Sequence, residues 1–79
     1  MDIDNLVHMA NRIGQFFAAM PDRPEALQGI AQHIQRFWER RMRAALLAHL
    51  DTHQGEGLDP IVLDAVQQHR DLLRAGTPS

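Results

Sequence analysis

Apolar side chains recur every three or four residues through most of this sequence, and that spacing restricts the chain to helices. No segment alternates apolar and polar residues with a period of two, so strands are not expected. Proline and glycine interrupt the helical pattern at residues 21–24 and 55–57. We therefore predict an all-α fold, a small four-helix domain that takes up residues 1–79, with helices over about 4–20, 24–38, 40–53 and 60–75. Residues 76–79 are expected to fray.

The boundary between the second and third helices follows from the position of a charge. A straight helix continuing from residue 24 would place Arg41 in the middle of its apolar face, and the next apolar set would be rotated away by about 100°. Burial of an unpaired arginine is expensive, so a break or sharp kink near Glu39 is predicted instead. The other helix starts are assigned to acidic N-cap residues, namely Asp2 or Asp4, Asp22 and Asp59.

Size and composition point towards a partner. The chain has 79 residues, no cysteine and a net charge of −2. Without cysteine it has no disulfide, no thiolate nucleophile and no thiolate ligand for an iron–sulfur cluster. The acidic balance provides no field that would attract nucleic acid, which is not expected as a partner. Apolar burial at ~25 cal/mol per Å² only about offsets an ordering entropy of ~1.5 kcal/mol per residue, so a partner or self-association is expected.

Neither the N-terminal residues nor the apolar runs are typical of export or membrane insertion. The sequence begins Met-Asp-Ile-Asp and has neither the basic region nor the apolar region of a secretion signal. The unbroken apolar run of residues 44–48 is far shorter than the ~18–20 residues that a membrane span requires. A cytoplasmic location without a membrane partner is the expectation.

The titratable side chains show no arrangement typical of an active site. His49 and His53 have the i, i+4 spacing of paired metal ligands, but no third ligand is placed beside them, and two solvated histidines are the simpler interpretation. His69 lies on an apolar face and is interpreted as a half-buried, hydrogen-bonded side chain. The sequence contains no phosphate-binding loop and no nucleophile motif, so no catalytic, cofactor-binding or metal-binding residues are predicted in this chain.

Side chains typical of binding sites are most concentrated in residues 36–43, which include four arginines, two aromatic residues and a methionine. Arginine, tryptophan and methionine are enriched at protein interfaces, so a partner-binding surface is predicted here. Trp38 would be its apolar anchor, whereas Phe37 is assigned to the core. Alternatively, the arginines form a solvated rim around core aromatics. The predicted partner-binding residues are Arg36, Trp38, Arg40, Arg41, Met42 and Arg43, with Asn11 and Arg12 on the first helix as secondary candidates.

Two blocks of sequence, taken in order, resemble a known family. Residues 6–13 read Leu-Val-His-Met-Ala-Asn-Arg-Ile and are followed by Phe16-Phe17; residues 30–34 read Ile-Ala-Gln-His-Ile and lead into Phe37-Trp38 and Arg41-Met42-Arg43. Over about residues 3–50 the chain resembles the delta subunit of the bacterial NAD-dependent, molybdenum-containing formate dehydrogenases. The second block of that family typically reads Phe-Trp-Asp-Pro-Arg-Met-Arg. Here Glu39-Arg40 replaces Asp-Pro, so a continuous but bent helix is also possible.

The resemblance implies a non-catalytic accessory subunit that assists the assembly or stability of a complex that oxidises formate to CO2 and reduces NAD. Molybdenum pterin, iron–sulfur clusters, FMN and NAD would be held by partner subunits and none by this chain. The implied partner is the catalytic molybdenum-bearing subunit or its assembly intermediate. The residues leave two other functions open: a free-standing homo-oligomeric helical binding or regulatory module, and a metal binder that uses His49 and His53.

Overall fold

Five helices occupy the part of the chain that the computed structural model describes, residues 2–75, and they confirm the all-α prediction. They are α1 (Ile3–Phe17), α2 (Arg23–Phe37), α3 (Arg40–His53), α4 (Pro60–Gln68) and α5 (Arg70–Ala75). No strand occurs in residues 2–75. The expected fraying of residues 76–79 concerns residues outside this range.

The break predicted near Glu39 is present. Trp38 (ψ 141°) and Glu39 (ψ 156°) are both extended, so α2 ends at Phe37 and α3 begins immediately after Glu39. The Glu39 carbonyl accepts the first hydrogen bond of α3, from the Arg43 N–H at 3.0 Å. Arg41 is consequently exposed rather than carried into the apolar face of α2. The chain therefore breaks here without the Asp-Pro pair of the family pattern.

The helix predicted over 60–75 is interrupted at one residue and forms α4 and the six-residue α5, so four helices of seven or more residues are present within residues 2–75, as predicted. His69 (φ −110°, ψ 33°) departs from helical geometry after α4, and its carbonyl accepts hydrogen bonds from the N–H groups of Leu72 and Leu73 at the start of α5. The change of direction lets α5 pack against both α2 and α3, with Leu73 in the core. Apolar periodicity does not detect a one-residue interruption when the spacing continues on both sides of it.

The helix ends differ from the predicted ends in two respects. Asp2, Asp22 and Asp59 are the N-cap residues of α1, α2 and α4, as predicted; the Asp2 Oδ1 accepts from the Asp4 N–H at 3.0 Å, whereas the side chains of Asp22 and Asp59 form no capping hydrogen bond. Proline in the first turn of α2 and of α4 supplies the helical φ there. In addition, α1 ends at Phe17 rather than at residue 20: Pro21 has no N–H to donate to the Phe17 carbonyl, which accepts from the Met20 N–H instead, at 3.0 Å.

All five helices contribute to one apolar core. Its members are mostly completely buried and lie at helical spacing on the inner face of each element. The buried core residues are Leu6, Ala10, Leu27, Ile30, Ile34, Trp38, Leu46, Leu50, Val62, Ala65, Val66 and Leu73. Ion pairs between Arg23 and Asp64 and between Arg70 and Asp51 join helices at the surface.

A glycine sets the distance between α1 and α4. Gly14 is buried, and a Cβ at this position would overlap Cγ2 of the fully buried Val62. We expect Gly14→Ala to lower the free energy of unfolding by about 1–3 kcal/mol, because Val62 is β-branched and enclosed and the two helices must separate. Urea unfolding followed by circular dichroism measures this loss. The exposed neighbour Gln15 provides the control: Gln15→Ala should change the free energy by less than about 0.5 kcal/mol.

Candidate functional site

The two adjacent aromatic residues at the end of α2 have the opposite of their predicted burial. Trp38 is only 6% exposed and belongs to the core, whereas Phe37 is 70% exposed. Trp38 lies one and two helical turns after Ile34 and Ile30, so it follows the centre of the buried face. Phe37 follows the line of Gly29 and His33 at the edge of that face. The expected assignments of Trp38 as an accessible anchor and of Phe37 as a core residue are therefore wrong.

The arginine segment is divided in the same way. Arg36, Arg40 and Arg41 are exposed, as a partner-binding surface requires, but Arg43 is 4% exposed. Its Nη1 donates to the carbonyl of Gln35 in the last turn of α2 at 3.1 Å, where a cation is favourable. Arg43 thus ties α3 to the end of α2, and the expectation that it faces a partner is not met. Met42 is half-buried and packs against the core.

Asn11, a secondary partner candidate, binds a loop of its own chain. Its Nδ2 donates to the Gly57 carbonyl at 2.9 Å and its Oδ1 accepts from the Asp59 N–H at 2.8 Å. The side chain therefore holds the connection between α3 and α4 against α1. The other secondary candidate, Arg12, is exposed beside it on α1.

We expect Asn11→Ala to lower the free energy of unfolding by about 1–3 kcal/mol, since it leaves a backbone donor and a backbone acceptor of the loop without their partner. Asn5→Ala, in the same helix and at an exposed position, is the matched control and should have a much smaller effect. Chemical denaturation of the two variants compares them directly. Equal losses would show that the two hydrogen bonds contribute nothing beyond helix propensity.

An open groove with a mainly apolar lining lies between α1 and α2. One part, of about 300 Å³, is lined by Arg12, Ile13, Phe16, Phe17 and His33. A second part, of about 390 Å³, shares three of these residues and continues over Met9, Phe37, Trp38 and Met42. We call the combined surface the aromatic groove. Contiguous exposed apolar surface of this kind marks interaction sites more often than isolated apolar residues do.

Aromatic rings form a continuous series along the groove. Phe16 is 76% exposed, and its ring contacts that of Phe17 edge-on with 5.2 Å between centroids. The series continues from Phe17 to His33 (6.3 Å) and from His33 to Phe37 (4.7 Å). Gly29 makes room for it, because a Cβ there would lie 2.6 Å from Cε1 of Phe17. Phe17 and His33 are half-buried within this series, and Phe16 and Phe37 at its ends are mainly exposed.

Sequence reasoning missed this groove, although two signals were present. Glycine inside a helix is destabilising by roughly 0.5–1 kcal/mol relative to alanine, so Gly29 indicated a close approach of another group. Adjacent Phe16 and Phe17 also cannot both face the core from one helix, because neighbouring side chains diverge by about 100°. Together these signals point to an aromatic side chain left outside α1.

The histidine pair at the end of α3 has no third metal-ligating side chain beside it in the described part of the chain. The rings of His49 and His53 are adjacent, with centroids 5.5 Å apart, but His49 Nε2 lies 2.7 Å from the Glu56 carbonyl. Within residues 2–75 no group of three or more metal-ligating side chains is found. His69 is half-buried, as predicted, at the break between α4 and α5.

Comparison with known proteins agrees with the sequence resemblance. The model of the NADH-dependent formate dehydrogenase delta subunit family, FdsD, matches residues 5–66, a range that includes the aromatic groove and the break before α3. Neither a curated protein nor a solved structure matches the chain. None of the helices in the described range is long and apolar enough to cross a membrane. Because the match extends over well more than half of its residues, the chain belongs to the delta subunit family of the NADH-dependent formate dehydrogenases.

Proposed function

We propose that this chain is a non-catalytic accessory subunit that assists the assembly or stability of an NAD-dependent formate dehydrogenase complex in the cytoplasm. Its partner is the catalytic molybdenum-bearing subunit or an assembly intermediate of that subunit. Molybdenum pterin, iron–sulfur clusters, FMN and NAD are held by the partner subunits. This chain provides a binding surface, and the partner subunits carry out the reaction.

The observation that carries this proposal is the exposure of Phe16 and Phe37 in a chain of the delta subunit family. Phe16 and Phe37 each have about three quarters of their surface in water. Full burial of such a side chain is favourable by roughly 1.5–3 kcal/mol, and most of this free energy is gained only when a partner covers the ring. The arginines of residues 36–41 lie at the same end of α2. Arginine next to an exposed aromatic group is typical of the residues that dominate interface energies.

The experiment is coexpression of the formate dehydrogenase subunits of the same organism with and without this chain. We expect omission of the chain to lower the recovery of assembled complex or its molybdenum content per catalytic subunit. Complex purified without the chain, with the same yield, molybdenum content and thermal stability, would contradict the proposal. The positive control is coexpression of a variant of the chain in which the exposed Gln67 and Gln68 are replaced by alanine; it should give the same recovery of complex as the unmodified chain.

A further inference from the structure

The rings of the aromatic groove are spaced like the turns of a helix. Gly29, His33 and Phe37 lie on one face of α2, one helical turn apart. The ring of Phe17 packs over Gly29, and the rings of His33 and Phe37 follow it along the helix. Successive centroids are 6.3 and 4.7 Å apart, close to the ~5.4 Å rise of a helical turn. A helix laid along α2 would therefore meet one ring with each of its turns.

The rim of the groove is positively charged. Arg12 lines both parts of the groove, and Arg36 borders it beside Phe17 and Phe37. No acidic residue is among the described residues that line these surfaces. Arg23, Arg70 and Arg74, which form ion pairs with Asp64, Asp51 and Asp71, lie outside these surfaces. The groove thus presents apolar rings between cations, and its complement is an apolar stripe flanked by carboxylates.

The same charges disfavour a second copy of this chain as the occupant. In a symmetric dimer the patch of one copy meets the identical patch of the other. Arg12 and Arg36 would then face Arg12 and Arg36 of the second copy across the interface. Juxtaposed like charges oppose association, so the groove is better matched to a different, acidic surface.

We propose that the aromatic groove binds an amphipathic α-helix of another subunit of the formate dehydrogenase complex, an assignment that rests on the function proposed above. Apolar side chains at positions i, i+4 and i+7 of that helix pack on the rings of Phe17, His33 and Phe37. Acidic side chains at its edges pair with Arg12 and Arg36. This is the helix-in-groove form of recognition, in which regularly spaced anchors supply affinity and the charged flanks fix orientation.

Photo-cross-linking in the whole complex tests the assignment. The full chain carries p-benzoylphenylalanine at position 37 in one preparation and at position 68 in another; Gln68 is exposed on α4 and does not line the groove. After irradiation, cross-linked peptides are mapped by mass spectrometry. We expect position 37 to cross-link to one segment of another subunit, with apolar residues at helical spacing and acidic residues on both sides. Position 68 should not reach that segment.

The outcomes separate this inference from the proposed function. Cross-links from position 37 to a second copy of the chain, to a basic or non-helical segment, or to nothing while the chain stays in the complex would overturn the helix-in-groove assignment alone. Failure of the unmodified chain to purify with the other subunits would overturn both proposals.

A synthetic peptide of the cross-linked segment then tests the two kinds of contact. We expect Phe37→Ala to weaken its binding about 30-fold, the loss typical of a central anchor. Arg12→Glu and Arg36→Glu should each weaken binding about tenfold, and more at low salt than at high salt. Arg74→Glu, the same charge change on α5 outside the groove, is the control. Equal effects of Arg12→Glu and Arg74→Glu would overturn the role of the basic rim.

Discussion

Replacing Trp38 with alanine is expected to lower the free energy of unfolding of the isolated chain by about 3–5 kcal/mol. The side chain is 6% exposed and packs in the core at the point where α2 ends, so its removal leaves a large cavity. A domain of 79 residues has a total stability of roughly 4–12 kcal/mol, so this variant loses a large share of it. Urea unfolding monitored by far-ultraviolet circular dichroism measures the difference.

The adjacent position supplies the matched comparison. Phe37→Ala should lower the free energy of unfolding by less than about 1 kcal/mol, because Phe37 is 70% exposed; its ring lies 4.7 Å from that of His33. Trp38→Phe, which keeps an aromatic ring in the core, should recover part of the stability that Trp38→Ala loses. If Phe37→Ala destabilised the chain as much as Trp38→Ala, the opposite placement of the two rings would be incorrect.

The double variant Phe16→Ser/Phe37→Ser is expected to weaken association with the formate dehydrogenase subunits by at least about 30-fold, and so to remove most of the chain from the purified complex. Both rings project into the groove from different helices, so the variant removes apolar contact at both ends of the ring series. Because both rings are mainly exposed, the isolated variant should remain folded. Affinity purification of the coexpressed complex, followed by quantification of each subunit, provides the measurement.

The control for this loss is Gln15→Ala/Gln68→Ala, which changes two exposed residues outside the groove. It should be recovered with the complex as well as the unmodified chain is. Equal helical circular dichroism of the two double variants would show that the loss is not due to unfolding. Normal recovery of Phe16→Ser/Phe37→Ser would mean that the complex contacts the chain through another surface.

Much of the fold could be predicted because helix periodicity and proline positions are local properties of the sequence. The break near Glu39 followed from one charge, since a continuous helix would have buried Arg41. The break at His69 could not be predicted in this way, because the apolar spacing continues through it and no proline interrupts the segment; after the break, α5 contacts α2 and α3. The local pattern therefore predicted the break that avoids the burial of a charge, and it missed the break that no local signal marks.

The candidate site was harder to predict than the fold. Composition correctly pointed to the end of α2 as rich in aromatic and basic residues, but it could not determine which of Phe37 and Trp38 faces inward. That choice depends on a rotation of about 100° between neighbouring positions and on where the helix ends. Arg43 is similar: its place inside the fold requires the Gln35 carbonyl, eight residues earlier, and that contact exists only once α3 has turned back on α2.

Hydroxyl-radical footprinting of the chain, alone and within the formate dehydrogenase complex, tests most directly whether the aromatic groove is the surface covered by a partner. In the isolated chain Phe16 and Phe37 should be oxidised readily and Trp38 should be protected, as their exposed fractions require. In the complex, the oxidation rates of Phe16 and Phe37 should fall until both residues are about as protected as Trp38. For this comparison the rate of each residue is divided by its rate in the unfolded chain. If both phenylalanines were oxidised as fast in a complex that contains the chain as in the isolated chain, the aromatic groove would not be the surface that a partner covers.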